Sequence, residues 1–511
     1  MGTLHGRKKR QLRTVLIAAA ILLAALAAVF FFLRPFEGIP SPSAPSASLT
    51  PTQSAAVDTS PYSSPQSGEN NPAASQEPQN TQAPLETGLS LYEASLTVDA
   101  EQNLLFGKLR LTYVNPYPDS LFEVVLNLFP NAVSPKCLML ETVTVAGLDA
   151  DYTLDENGTH LTLPLTRELK TGESTEIYIS YAVQVPKTSD RFGTGKNRLM
   201  FGNAIPVAAV YENGTWRMDE YISTGDSFYS EAANYRVVIA APQNYTVSCT
   251  GSVEEQRTQS GVTTMLASAY EVRDFAFSLH KNAYVSTQYA NDVEVVGVAL
   301  TQKAADFAAK SGSDALLYFS DKICDYPYNR LCVVDFDGSG GMEYPGLIMI
   351  NTSLLSGSTE EYAAMVVAHE VAHQWFYGIV GSDQLNEPWV DESLVEFLGF
   401  AFSRAYFGDT VYNELWQSSF DSFAAYERTL RLDAPLKSFE GNDYFFVVYA
   451  YGAHVMRDLS NELGEDMFFT ALQNYVGEHR YKNAEGTDLI AAFSEVAGND
   501  MGPWFEAKFA P

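Results

Sequence analysis

"HEVAHQWFYGIVGSDQLNEPWVDESLVEF", running from His369 to Phe397, sets two histidines four residues apart and, 18 intervening residues after the second, a glutamate. On an α-helix that first spacing stacks both imidazoles on one face, so His369 and His373 reach one cation together. Glu370 falls about 100° round the helix from His369, where it addresses a water on the metal rather than the metal itself. A third protein ligand is then required. Glu392 stands just inside a second helix, whereas Asp391 points to a different face and Glu387 precedes the helix, so geometry selects Glu392. Glu396, one turn later on the same face, either orients a ligating histidine or is a solvated helix charge. Two nitrogens, one carboxylate oxygen and an open fourth position are the donor set of a catalytic zinc ion, one per chain. The competing reading is a buried helix whose histidines only satisfy hydrogen bonds. The distant carboxylate on a second helix weighs against it.

Working outward, Ser358-Thr359-Glu360-Glu361 is a capping-box pattern that predicts a helix through the first histidine, stopping near Gly378. Upstream, "QKAADFAAKSGSDALLYFSDKI" reads as one or two helices, and "LCVVDF" and "GLIMIN" as strands flanking the turn Gly338-Ser339-Gly340-Gly341. Residues 89–286 show period-two alternation in short stretches such as "LYEASLTVDA" and "STEIYISYAVQV", the pattern of half-buried antiparallel strands in a sandwich or saddle. The expected class is α+β: a mostly antiparallel β domain over 89–286, then a mixed and finally helical domain over 287–511.

The first 88 residues differ in kind. Residues 14–33 form an uncharged run of 20, long enough to cross a bilayer core of about 30 Å and without the small-residue cleavage site of a signal peptide. The basic cluster within 1–13 then stays in the cytoplasm, which puts the rest of a single-pass membrane protein outside the cell membrane. Residues 34–88 are rich in Pro, Ser, Ala, Gln and Asn, too poor in large apolar groups to offset the entropy of ordering, and read as a disordered stalk. Beyond Arg34 the chain holds 26 basic against 62 acidic residues, a net of −36 that repels phosphate backbones, so no nucleic acid is expected as a partner. Four cysteines without a CxxC pair support neither a disulfide scaffold nor a thiolate metal site; a Cys324–Cys332 bridge and buried free thiols are both open.

The zinc-type spacing within "WVDES", together with two further segments, resembles the aminopeptidase N family of gluzincin metallopeptidases. Gly340-Gly341-Met342-Glu343 is similar to the start of that family's GxMEN motif, and "YAYGAHVM" resembles its YxKGA segment, with Tyr449 at the tyrosine position. The resemblance covers roughly Leu89 to Pro511 and implies a thermolysin-like catalytic domain. It further implies zinc on His369, His373 and Glu392, Glu370 as general base, and Tyr449 as oxyanion stabiliser. Glu343 would hold a peptide's free amino terminus while the backbone of its strand, Gly340 to Met342, pairs with the peptide. The implied activity is release of N-terminal residues from peptides, with an open-cleft endopeptidase or a non-catalytic binding protein as alternatives. Three departures stand out. Tyr344-Pro345 replaces the usual Asn, Tyr451 replaces the usual Lys, and the β-domain segment that supplies a second amino-terminal anchor has no clean copy, although "GDSFYSEAANYRV" lies in about that place. The chain also stops soon after the catalytic helices, which predicts an open cleft.

Overall fold

The computed structural model describes residues 88–511 except 358 and 425. The basic segment 1–13, the apolar run 14–33 and the stalk to residue 87 lie outside the described residues. No helix among the described residues is long and apolar enough to cross a membrane.

Alternation builds the first part. In Leu91–Asp99 the side chains of Tyr92, Ala94, Leu96 and Val98 are buried while their neighbours face outward, as the pleat requires. This strand lies inside an eight-stranded sheet ordered Ser252–Gln259, Val262–Val272, Ala233–Pro242, Leu91–Asp99, Leu104–Val114, Ser174–Gln184, Leu138–Val145 and Leu148–Asp149. Its pairings are antiparallel except for Leu91–Asp99 beside Ala233–Pro242, which run parallel. Two four-stranded sheets and the short ribbon of Tyr211–Glu212 and Thr215–Trp216 complete the β-rich part, and the three larger sheets share one apolar core.

The second part opens with a five-stranded mixed sheet, ordered Tyr284–Ala290, Val293–Ala299, Arg330–Phe336, Leu347–Asn351 and Gly341–Met342. The expected division after Ser286 cuts through Tyr284–Ala290, which pairs along its whole length with Val293–Ala299 and so goes with this sheet. Gln302–Lys322 forms a single helix across it, and Gly297 is where the two meet, since a Cβ there would overlap the carbonyl of Ala305. Helices fill the rest of the chain around a second core. A third cluster joins the two parts: Met200, Phe228 and Ala276 of the β-rich part pack on Val334, Met342 and Tyr344. All four cysteines are free thiols, and Cys324 lies outside the sheet that buries Cys332.

Candidate metal centre and peptide cleft

The helix Glu360–Ala372 begins where Thr359 accepts a hydrogen bond from the backbone N–H of Tyr362 at 3.4 Å, which satisfies an otherwise orphaned donor. It ends earlier than expected. His373 is its cap, and from there the bonds widen, with Gly378 N–H donating to the His373 carbonyl at 2.8 Å and Ile379 N–H to that of Gln374 at 3.1 Å. The early stop frees the Phe376 carbonyl, which faces His373 Nδ1 at 3.1 Å. A carbonyl only accepts, so the imidazole proton sits on Nδ1 and the Nε2 lone pair points the other way.

A second helix, Trp389–Phe423, packs against the first. Their close approach depends on Gly399, where a Cβ would stand 3.1 Å from the Met365 carbonyl and 3.5 Å from His369 Cβ. Two carboxylates of this helix thereby reach the histidines. Glu396 Oε2 lies 2.8 Å from His369 Nδ1 and fixes that ring as Phe376 fixes the other. Glu392 Oε2 stands 3.4 Å from His369 Nε2 and 3.5 Å from His373 Nε2.

Three lone-pair atoms facing one another call for a cation among them. Metal–ligand bonds of about 2.0–2.1 Å in a tetrahedron place ligand atoms about 3.4 Å apart, which these separations match. The same Glu392 oxygen is buried without a hydrogen-bond donor. Electrostatics agree. Burial opposes charge on His373, yet Glu343 and Glu392 outweigh it and push the imidazole up to about 10. Burial likewise opposes ionisation of Glu392, but the two imidazoles hold its carboxyl far below the usual range. The residues present fit a zinc ion.

Glu370 lies beside this set, its carboxyl pushed up to about 7, first by burial and then by Glu392 and Asp226 against the pull of the two histidines. Its carboxylate rests over Gly341, where any Cβ would overlap it. Gly341 and Met342 form the end strand of the mixed sheet, pairing with Ile350 and Met349 on one side only. Gly340 precedes them with φ +67 and open space on its side-chain face. Glu343 is buried, and its ligand atoms lie within 4.8 Å of those of His373 and Glu392. Tyr449 comes from a π-helical turn, Phe445–Tyr451, and stacks on His369 with ring centroids 5.9 Å apart. Burial and the charge of Glu392 keep its hydroxyl protonated. Ser393 ties that turn to the Glu392 helix by donating to the Val448 carbonyl at 2.7 Å, and Gly452 leaves room for it.

Two site residues escape the sequence reading. Asp226, in the segment where the second anchor was sought, is buried, ion-paired to Arg191, and is the first-ranking carboxylate among those that push Glu343 upward beyond the effect of burial. Gln374, fully buried next to His373, donates to the carbonyls of Glu343 and Tyr344 at 3.2 Å each and accepts from Gly346 N–H at 2.8 Å. It thus fixes the Glu343 strand to the histidine helix. Gln374 directly follows His373 and Asp226 lies within "GDSFYSEAANYRV", but which residue of each segment serves is shown only by the fold. The departures also find partners: Tyr344 turns into the core and donates to Asn203 at 2.6 Å, and Tyr451 donates to the Lys508 carbonyl at 2.8 Å.

Residues 307–507 match the Peptidase family M1 domain. Aminopeptidase 2 of Candida albicans is 27% identical over 276 residues, or 50% of this chain and 29% of that protein. Aminopeptidase N of Lactococcus lactis is 29% identical over 266 residues, or 46% of this chain and 30% of that protein. The chain therefore spans under a third of the length of these curated relatives. An M1 zinc metallopeptidase mutant from Deinococcus radiodurans, solved by crystallography, shares the fold with a TM-score of 0.62 at 16% identity, over 82% of this chain and 94% of that one.

Proposed function

Because the chain belongs to the aminopeptidase N-like peptidase family M1 through residues 307–507, we propose that it hydrolyses the first peptide bond of peptides with a free amino terminus. The observation that carries this reading is the convergence of Glu392 Oε2 on both imidazole Nε2 atoms, with Glu370 and Glu343 beside them. His369, His373 and Glu392 would hold zinc, which when bound supplies Lewis acidity toward water and a peptide carbonyl. The remaining work falls to the chain's own groups. Glu370 accepts a proton from the attacking water as its oxygen bonds to the scissile carbon, and passes that proton to the nitrogen as the C–N bond breaks. Tyr449 donates a hydrogen bond to the carbonyl oxygen as it becomes negative. Glu343, with Asp226 near it, holds the peptide's ammonium group, and the unpaired side of Gly341–Met342 offers backbone groups to an extended peptide.

A carboxylate at the end of the cleft makes the amine a requirement rather than a preference. The apolar run at 14–33 supports placing the enzyme at the outer face of a membrane. Hydrolysis of matched free and N-acetylated peptides, each with and without a chelator, tests the proposal. Cleavage of only the free form, abolished by the chelator and restored by zinc, is expected. Equal cleavage of both forms would point to an endopeptidase, and none at all to a binding protein.

A further inference from the structure

The π-helical turn that carries Tyr449 also presents Phe445, whose side chain is 50% exposed, the most of any large apolar residue described in the helical part. A single exposed ring is ordinary on a protein surface. Its place is not. Phe445 stacks on Tyr449 with ring centroids 6.3 Å apart and planes 22° apart, and Tyr449 stacks on His369 at 5.9 Å and 12°. Three near-parallel rings thus lead from a metal-site histidine to solvent, with exposure rising along the row. The next residue, Phe446, stacks on Tyr426 at 4.8 Å, and the Tyr426 hydroxyl donates to Asp443 at 2.8 Å, which braces the turn.

Tyr444, one residue before Phe445, meets Tyr449 edge-on, with centroids 5.4 Å apart and planes at 86°. It is buried, and its hydroxyl would stand 2.9 Å from a Cβ on Gly225, the residue before Asp226. Tyr444 therefore closes the side of Tyr449 toward the amine anchors, where Asp226 and Glu343 are themselves buried. A peptide held there by its ammonium group, with its first carbonyl oxygen at Tyr449, leaves the site on the exposed side. We propose that Phe445 is a specificity-determining residue: its ring is the wall against which the side chain of the second residue packs, so that peptides with a large apolar or aromatic residue there are cleaved best. This rests on the reading of Glu343 as amine anchor and Tyr449 as oxyanion donor. An apolar side chain laid on a half-exposed ring removes both surfaces from water, whereas glycine at that place leaves the ring wet.

The test is kcat/KM for free-amine tripeptides that differ only at the second residue, glycine, leucine or phenylalanine, with a matched series varied at the first. The parent is expected to favour leucine and phenylalanine over glycine at the second residue by about tenfold. In Phe445→Ala that ratio should fall to about two or below, while Phe445→Leu, which keeps an apolar wall, retains most of it. Preferences at the first residue should be the same in parent and Phe445→Ala. No preference at the second residue in the parent, a preference that survives Phe445→Ala, or a change confined to the first residue overturns the inference and leaves the amine-anchored cleft standing. Failure of the parent to require a free amine would instead overturn the reading on which it rests.

Discussion

Glu370 sits over a glycine, flanked by the histidines, with burial holding its proton affinity near neutrality. A group so placed can exchange a proton with water at working pH. Glu370→Gln keeps the shape and loses the exchange, so kcat should fall by about a hundredfold to ten-thousandfold while the bound metal content is unchanged. Loss of metal along with activity would instead make Glu370 a ligand. Glu396 acts one atom further out, on the far nitrogen of His369. Glu396→Ala should weaken zinc affinity by about ten- to a hundredfold in a competition with a fluorescent chelator. The histidine pair is legible in the sequence because its relation is local to one helix and fixed by the period, and Glu396 is legible only through its place one turn after Glu392. Asp226 is not, since its nearness to Glu343 depends on how a loop 117 positions earlier in the chain is folded back.

Among elements, the strand that bears Glu343 shows how one buried amide can couple secondary structures. Gln374 serves three backbone groups of that strand and its turn. Gln374→Leu would leave them buried and unpaired, at a cost of about 3 kcal/mol, read as a lower urea midpoint. Any folded fraction should show a raised KM for free-amine peptides with kcat reduced less, and the reverse split would argue that Gln374 serves the chemistry. The alternation of Leu91–Asp99 is plain in the sequence because one face of that strand meets a core. Tyr284–Ala290 carries no such pattern: nearly all of it is exposed at the end of a sheet, so its allegiance was decided by hydrogen bonding that composition does not encode. The end of the first-histidine helix was misplaced for a related reason. Gly378 is a fair stop signal, but the α-helical bonding already gives way at His373 to wider local bonds, from Gly378 N–H to His373 and from Ile379 N–H to Gln374.

Across the whole molecule, the two parts are tied by charge as well as by packing. Arg198 of the β-rich part bonds to Asp335 through Nη2 at 2.6 Å and to Asp337, and His280 faces Asp335 at 3.2 Å. Burial works against the Asp335 charge, yet His280 and Arg198 outweigh it and hold the carboxyl below the usual range. A carboxyl depressed in the native state stabilises the fold above the unfolded value of about 3.9, and that contribution vanishes as pH falls through the native value. Asp335→Asn should therefore be less stable than the parent at neutral pH, by about 3–5 kcal/mol, with the gap closing below about pH 4. Denaturation at a series of pH values measures it, and a gap independent of pH would show that the charge is not the cause. The apolar seam has another consequence. Because Met342 and Tyr344, on either side of Glu343, rest on Met200 and Phe228, the strand that bears Glu343 takes its shape partly from a surface that the catalytic half does not own. Swapping the catalytic half alone into a foreign scaffold would transplant the reagents without the jig that aligns them, so inheritance of this architecture favours both halves travelling as one unit.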